Sequence, residues 1–134
     1  MNTTKLTTAV SERYVILGAK LYELGRIDQA VAYYQKAVEM NPIDSETYYH
    51  LGVALNDQGK KTEAFACYQH AVEINPKHAR AFNQMGLALE EQGKIELAII
   101  CYRKALDIDA GIPEVHCNLG DALKTLEKTE AANR

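Results

Sequence analysis

Cys67 and His70 stand three residues apart, which puts a thiol and an imidazole on one face if the segment is helical. Cys101 recurs 34 residues after Cys67. Cysteine and histidine hold zinc when four ligands close a tetrahedron. The remaining cysteine, Cys117, follows His116 directly, and adjacent helical residues point in different directions, so this pair does not complete such a site. Cys67 and Cys101 read better as half-buried replacements for Tyr33 at one position of a repeating pattern. Nucleophilic catalysis has as little support. Ser11 and Ser45 are the only serines, and both stand where helices are expected to start, a position at which a serine hydroxyl caps the backbone. The glycines are spread evenly rather than clustered around a phosphate, and nucleophile-elbow and zinc-protease spacings are absent. The sequence therefore predicts no catalytic residue, no cofactor and no metal site.

Composition narrows the class further. With 134 residues the chain is long enough for one domain with a continuous core. Hydrophobic residues make up 47% and charged residues 25%, the balance of a water-soluble globular protein. The formal charge of −3 argues against nucleic acid as a partner, because tracking a phosphate backbone calls for a basic excess. No apolar run approaches the roughly 20 residues needed to span a bilayer, so no membrane insertion is expected. The start, Met1 to Lys5, lacks the apolar stretch of a signal peptide. An odd number of cysteines without such a signal points to reduced thiols and a cytoplasmic location.

What organises the chain is a repeat. Leu17-Gly18, Leu51-Gly52, Met85-Gly86 and Leu119-Gly120 recur at intervals of 34 residues. Gly25, Gly59 and Gly93 keep the same interval, as do Ala30, Ala64, Ala98 and Ala132. Tyr34, Tyr68 and Tyr102 form another series, and Ala37, Ala71 and Ala105 a further one. Residues 45–78 and 79–112 agree at 11 of 34 positions, too many registers at one period for coincidence. Within a unit, Tyr48, Leu51, Gly52 and Leu55 fall on one face of a first helix, and Ala64, Tyr68, Ala71 and Val72 on one face of a second. Gly59 between them suits the left-handed residue that closes a helix. Pro42 and Pro76 stop the second helices, and Asp44 or Ser45 suits the next N-cap. Helices of about 14 residues are marginal alone in water, so stability must come from stacking. A helical glycine costs roughly 1 kcal/mol against alanine, so its recurrence at 18, 52, 86 and 120 implies close packing, with Gly52 expected to face Ala64.

These landmarks together resemble the tetratricopeptide repeat family: an aromatic residue (Tyr14, Tyr48, Phe82), Leu-Gly, Gly, Ala, Tyr, Ala and Pro in a 34-residue frame. The resemblance covers about nine-tenths of the chain and divides it into an N-terminal extension at 1–10, repeats at 11–44, 45–78 and 79–112, and a capping helix or truncated fourth repeat at 113–134. It implies an all-α fold, a right-handed superhelix of antiparallel helix hairpins whose first helices line a concave groove. The pattern departs at Ala110, where the unit-closing proline is missing, and at His116, where the other units carry an aromatic ring. Thr129 to Ala132 reads as the opening of a further second helix, so the array looks cut short.

By the same resemblance, the groove residues that would meet a partner are Tyr49, His50, Val53, Asn56, Arg80, Asn83, Gln84, Leu87, Asn118 and Asp121. The wider first-helix faces add Glu12, Glu23, Glu46, Asp57, Glu90, Glu91 and Glu114 against Lys124. With Asp121 and Arg80 this makes eight acidic and two basic side chains, a surplus of six negative charges. A groove of that sign would attract a basic or polar ligand. Side-chain amides at 83, 84 and 118 both donate and accept, which suits gripping a peptide backbone; they weakly resemble the asparagine ladders in repeat domains of sugar-transferring enzymes, although Ile16 and His50 interrupt the series. Repeats that clamp acidic chaperone tails place lysine, asparagine and arginine at positions that here hold Val15, Ala19, His50, Arg80 and Gln84. Only Arg80 has the needed charge, so that clamp is not expected.

The expected function is a protein-interaction scaffold or adaptor that binds a partner peptide or helix in its concave groove, without enzymatic activity. Two alternatives remain open at this level: a self-assembly module acting through open solenoid ends, and a substrate-presenting or regulatory domain of a larger enzyme such as a glycosyltransferase.

Overall fold

A computed structural model describes residues 3–134. Among the described residues there are seven α-helices, α1 (Thr3–Glu23), α2 (Ile27–Met40), α3 (Ser45–Asp57), α4 (Lys61–Ile74), α5 (Ala79–Glu91), α6 (Ile95–Ile108) and α7 (Pro113–Ala132), and no strand. The fold is all-α, built from helix hairpins. The chain divides into two compact units, Met1–Asn75 and Pro76–Arg134.

In the first unit α1 packs on α2, α2 on α3, and α3 on α4. Ser11 near the middle of α1 meets Ala37 near the end of α2, whereas Gly18 further along α1 meets Tyr34. Partner numbers fall as residue numbers rise, which defines an antiparallel hairpin. The turn into α2 is set by Gly25 at φ 77°. Its N–H donates to the Tyr22 carbonyl at 3.0 Å, and the N–H of Arg26 to that of Leu21 at 2.9 Å. These two bonds satisfy the last carbonyls of α1 in a Schellman closure, which repeats at Gly59 between α3 and α4. The helix start at α3 is capped by Asp44, whose carboxylate accepts from the Glu46 N–H at 3.1 Å and the Thr47 hydroxyl at 2.8 Å.

Small residues let these helices approach: Ala30, Ala37, Ala54 and Ala71 have no exposed surface. The nearest neighbour across each hairpin is a tyrosine ring, which the sequence did not single out. A Cβ built on Gly52 would lie 2.6 Å from Cε1 of Tyr68, and one on Gly18 2.8 Å from Cε1 of Tyr34. The glycine makes room for a tyrosine ring crossing from the second helix.

Ser11 also differs from expectation. It caps nothing, because α1 begins eight residues earlier. Residues 3–10 contain neither proline nor glycine to stop a helix, so the extension continues α1. The Ser11 hydroxyl is buried and donates to the Ala37 carbonyl at 3.0 Å.

In the second unit α5 packs on α6 and α6 on α7. His78 precedes α5, and its Nδ1 accepts from the Ala81 N–H at 3.1 Å. Gly93 closes α5 as Gly25 closes α1, and Gly86 lies under Tyr102 with 2.4 Å to its Cε1 for a built Cβ. The core holds Ala98, Tyr102, Ala105, Val115 and Ala122. Pro113 opens α7 at its first turn, where a missing N–H costs nothing. His116 Nε2 lies 2.7 Å from the Ala110 carbonyl, so it ties the turn that lacks a proline. No second helix opens at Thr129. The residue one period after Gly93 is Glu127, which does not favour the left-handed turn, and α7 runs on to Ala132.

Candidate functional site

Four of the expected partner-binding residues, Tyr49, His50, Val53 and Asn56, lie on α3, and all four are half-buried. Helical spacing puts Tyr49, Val53 and Asn56 in one row. The His50 ring stacks on Tyr34 at 5.9 Å and 19°, and meets the edge of Tyr49 at 5.6 Å and 64°. Tyr49 in turn lies 6.1 Å from Tyr68. Rings from α2, α3 and α4 therefore form one aromatic face, its polar atoms drawn from α1 and α3. His50 Nε2 is 3.6 Å from Glu46 Oε2, and Asn56 Oδ1 accepts weakly from Lys61 at 3.5 Å. The Tyr22 hydroxyl donates to Asp57 Oδ2 at 2.5 Å, linking α1 to α3. That carboxylate, with partial burial behind it, raises the Tyr22 phenol to about 12. Gln58 Nε2 donates to Asp28 Oδ1 at 2.8 Å and joins α3 to the start of α2.

The other six expected residues lie in the second unit. Arg80 and Asp121 are exposed; Gln84, Leu87 and Asn118 are half-buried. Asn83 is 4% exposed, and its Oδ1 accepts from Asn118 Nδ2 at 2.9 Å. Two rungs of the expected amide series thus meet, and they tie α5 to α7. The Tyr102 hydroxyl donates to Glu90 Oε1 at 2.6 Å. Burial and then this carboxylate push the Tyr102 phenol well above its ordinary value. Two of the eight first-helix carboxylates, Asp57 and Glu90, are therefore held in place by phenols.

Tyr34 and Tyr68 are buried in the core, and what sequence reasoning did not see is that their rings also back His50 and Tyr49. The available signal was the choice of tyrosine over phenylalanine at 34, 68 and 102: a hydroxyl at a core position asks for a partner. The cysteines sit differently. Cys67 and Cys101 are buried and Cys117 is exposed. Desolvation, helped by Glu63, pushes the Cys67 thiol up to about 11, the opposite of what a ligand thiolate needs. His70 packs 5.1 Å from Tyr48 and lies 3.8 Å from Glu73. Among the described residues no three His, Cys, Asp or Glu side chains are gathered to hold a metal, and no helix is long and apolar enough to cross a membrane.

Paired antiparallel helices closed by glycine, with tyrosines laid over glycines in each hairpin, define a helical-repeat scaffold. A tetratricopeptide repeat family model matches residues 44–110 and a second, TPR repeat, matches residues 18–59. The chain belongs to the tetratricopeptide repeat family. It is similar to the first TPR domain of Spaghetti (RPAP3), solved bound to the HSP90 peptide SRMEEVD, with 21% identity, a TM-score of 0.86 and coverage of 90% of this chain and 95% of that one. It is also similar to the Arabidopsis OM64 TPR domain, with 20% identity, a TM-score of 0.85 and coverage of 89% and 98%. A MamA protein structure shares 27% identity with a TM-score of 0.81, over 92% of this chain and 68% of that one. No curated protein matches the sequence.

Proposed function

We propose that this chain is an adaptor that holds a segment of a partner polypeptide against its first-helix faces, with no chemistry of its own and in the cytoplasm. The observation that carries this reading is the half-buried face on α3, where Tyr49, His50, Val53 and Asn56 present rings, one aliphatic side chain and an amide among Tyr34 and Tyr68. Rigid aromatic rings supply contact area at low entropic cost, and an amide satisfies a peptide backbone in either direction. The similar Spaghetti domain binds a peptide, which supports a polypeptide ligand in general. An acidic tail of that kind is a poor fit here, because Val15, Ala19 and His50 stand where a carboxylate clamp needs cations and amides. A basic or polar segment agrees better with the carboxylates along these helices.

The test is a displayed library of peptide segments panned against the intact protein and against Val53→Arg, which adds bulk and charge to the middle of the face. Segments that bind the intact protein and lose Val53→Arg support the reading. A library that yields no binder, or binders indifferent to Val53→Arg when that variant melts normally, overturns it.

One observation favours self-association as a second reading. Ile16, Leu17 and Leu24 on and just after α1 are 67%, 46% and 60% exposed, an apolar display that isolated surface residues do not usually make. Light-scattering mass across a concentration series decides: a rise supports this reading, and a constant mass near 14.9 kDa removes it.

A further inference from the structure

Two helices leave bare the positions that other repeats bury. Leu17 on α1 is 46% exposed, whereas Leu51, one period later on α3, is 5% exposed. Leu123 on α7 is 36% exposed, whereas Leu55 and Leu89 at the same repeat position are 2% and 8% exposed. Gly18, Gly52 and Gly86 lie under tyrosine rings, but nothing lies within 4 Å of a Cβ built on Gly120. Among the described residues, then, α1 and α7 each show an apolar row of the kind that a neighbouring helix covers on α3.

The charges on the two rows are opposite. On α1 the positions 6, 10, 13, 17, 20 and 24 advance by alternating steps of four and three, so they share one face. They hold Leu6, Val10, Arg13, Leu17, Lys20 and Leu24, four apolar side chains and two cations without a carboxylate. Glu12 and Glu23 fall a quarter-turn or more away. On α7 the same steps give His116, Gly120, Leu123, Glu127 and Glu130. His116 is turned to the Ala110 carbonyl, which leaves two carboxylates as the charges of the row; Lys124 and Lys128 lie to one side of it. Arg13, Lys20, Glu127 and Glu130 are all exposed.

We infer that α7 of one copy of this chain docks along α1 of a second copy, with Glu127 and Glu130 against Arg13 and Lys20. This inference rests on the self-association reading and names the two faces that meet. Burial of the leucines supplies the attraction. The charges decide which faces pair: α1 against α1 sets cations on both sides, α7 against α7 sets carboxylates on both sides, and only α1 against α7 is complementary. With a rise of about 1.5 Å per residue, Arg13 and Lys20 stand about 10 Å apart on either side of Leu17, and their long arms reach in toward the closer pair of carboxylates. The contact is heterologous, so each copy keeps one face of each kind for a further neighbour.

The experiment compares light-scattering mass across a concentration series for the intact protein and two charge-reversed variants. One carries Arg13→Glu and Lys20→Glu, the other Glu127→Lys and Glu130→Lys. All four positions are exposed, so both variants should melt like the parent, which circular dichroism checks. The parent mass is expected to rise above 14.9 kDa, each variant alone to stay at that value, and an equimolar mixture of the two variants to rise again. A parent mass that stays constant removes self-association and this inference with it. A rising mass that either variant leaves unchanged overturns the α1–α7 contact while self-association stands, and so does a mixture of two monomeric variants that fails to associate.

Discussion

The ring of Tyr68 lies across Gly52 so closely that a Cβ there would sit 2.6 Å from Cε1 and 2.9 Å from Cδ1. Alanine is the better helix former by roughly 1 kcal/mol, yet the ring belongs to a residue 2% exposed and has nowhere to go. Gly52→Ala is therefore expected to destabilise by about 1–3 kcal/mol through overpacking. Gly120 is the matched control. It occupies the same repeat position in α7, but nothing lies within 4 Å of a Cβ built there. Gly120→Ala should stabilise by roughly 0.5–1 kcal/mol. Urea midpoints of the two variants decide, and a loss in both would mean that the glycines serve something other than ring clearance.

Tyr22 and Asp57 give the first unit a pH dependence at the alkaline end. The Tyr22 phenol is raised from 10.0 to about 12, first by its hydrogen bond to Asp57 and then by burial and the carboxylate charge. The folded state thus binds this proton more tightly than the unfolded chain does. The stabilisation is fully present below pH 10 and is lost as pH climbs through the folded value near 12. Tyr22→Phe should cost about 1 kcal/mol at neutral pH, a partly exposed charged hydrogen bond being worth no more. The gap between variant and parent should narrow as pH rises through that window, as read from thermal melts at stepped pH.

Ser11 shows where sequence reasoning reached its limit. The period, the hairpins and the closing glycines were legible because Gly, Ala, Tyr and Pro recur at fixed intervals, and each type has a strong local preference. Ser11 carries no such preference: its role depends on α1 starting at Thr3 and on where the Ala37 carbonyl ends up across the hairpin. Ser11→Ala should cost about 1 kcal/mol, the worth of one buried hydrogen bond. The cost should stay near that figure because the Ala37 carbonyl also accepts from the Asn41 N–H at 2.9 Å. Equilibrium denaturation of this variant measures it directly. The tail of α7 failed for a related reason: Thr129 to Ala132 keeps the alanine of the pattern, whereas the missing glycine at 127 decides the backbone.

The candidate site was named by resemblance to the family, which gives positions and not environments. The resemblance singled out Tyr49, His50, Val53 and Asn56, but whether a polar atom there is already engaged depends on side chains far away in sequence. Asn83 illustrates this, since its amide is tied by Asn118, 35 residues on. Neither partner announces the bond by type alone.

The phenols of Tyr102 and Tyr68 separate these two kinds of polar group in one comparison. Both rings are buried and both cross a glycine, so loss of either hydroxyl removes the same atom from an equivalent place. Tyr102 donates to Glu90 at 2.6 Å, and Tyr102→Phe should destabilise by about 1–2 kcal/mol through loss of a bond to a charged acceptor. The Tyr68 hydroxyl is buried without a partner, so Tyr68→Phe should change stability by less than about 0.5 kcal/mol or raise it. Paired urea titrations read the difference. Equal losses in the two variants would mean that the Tyr68 hydroxyl has a tightly held partner. A loss confined to Tyr102→Phe leaves Tyr68 with a hydroxyl that folding does not need.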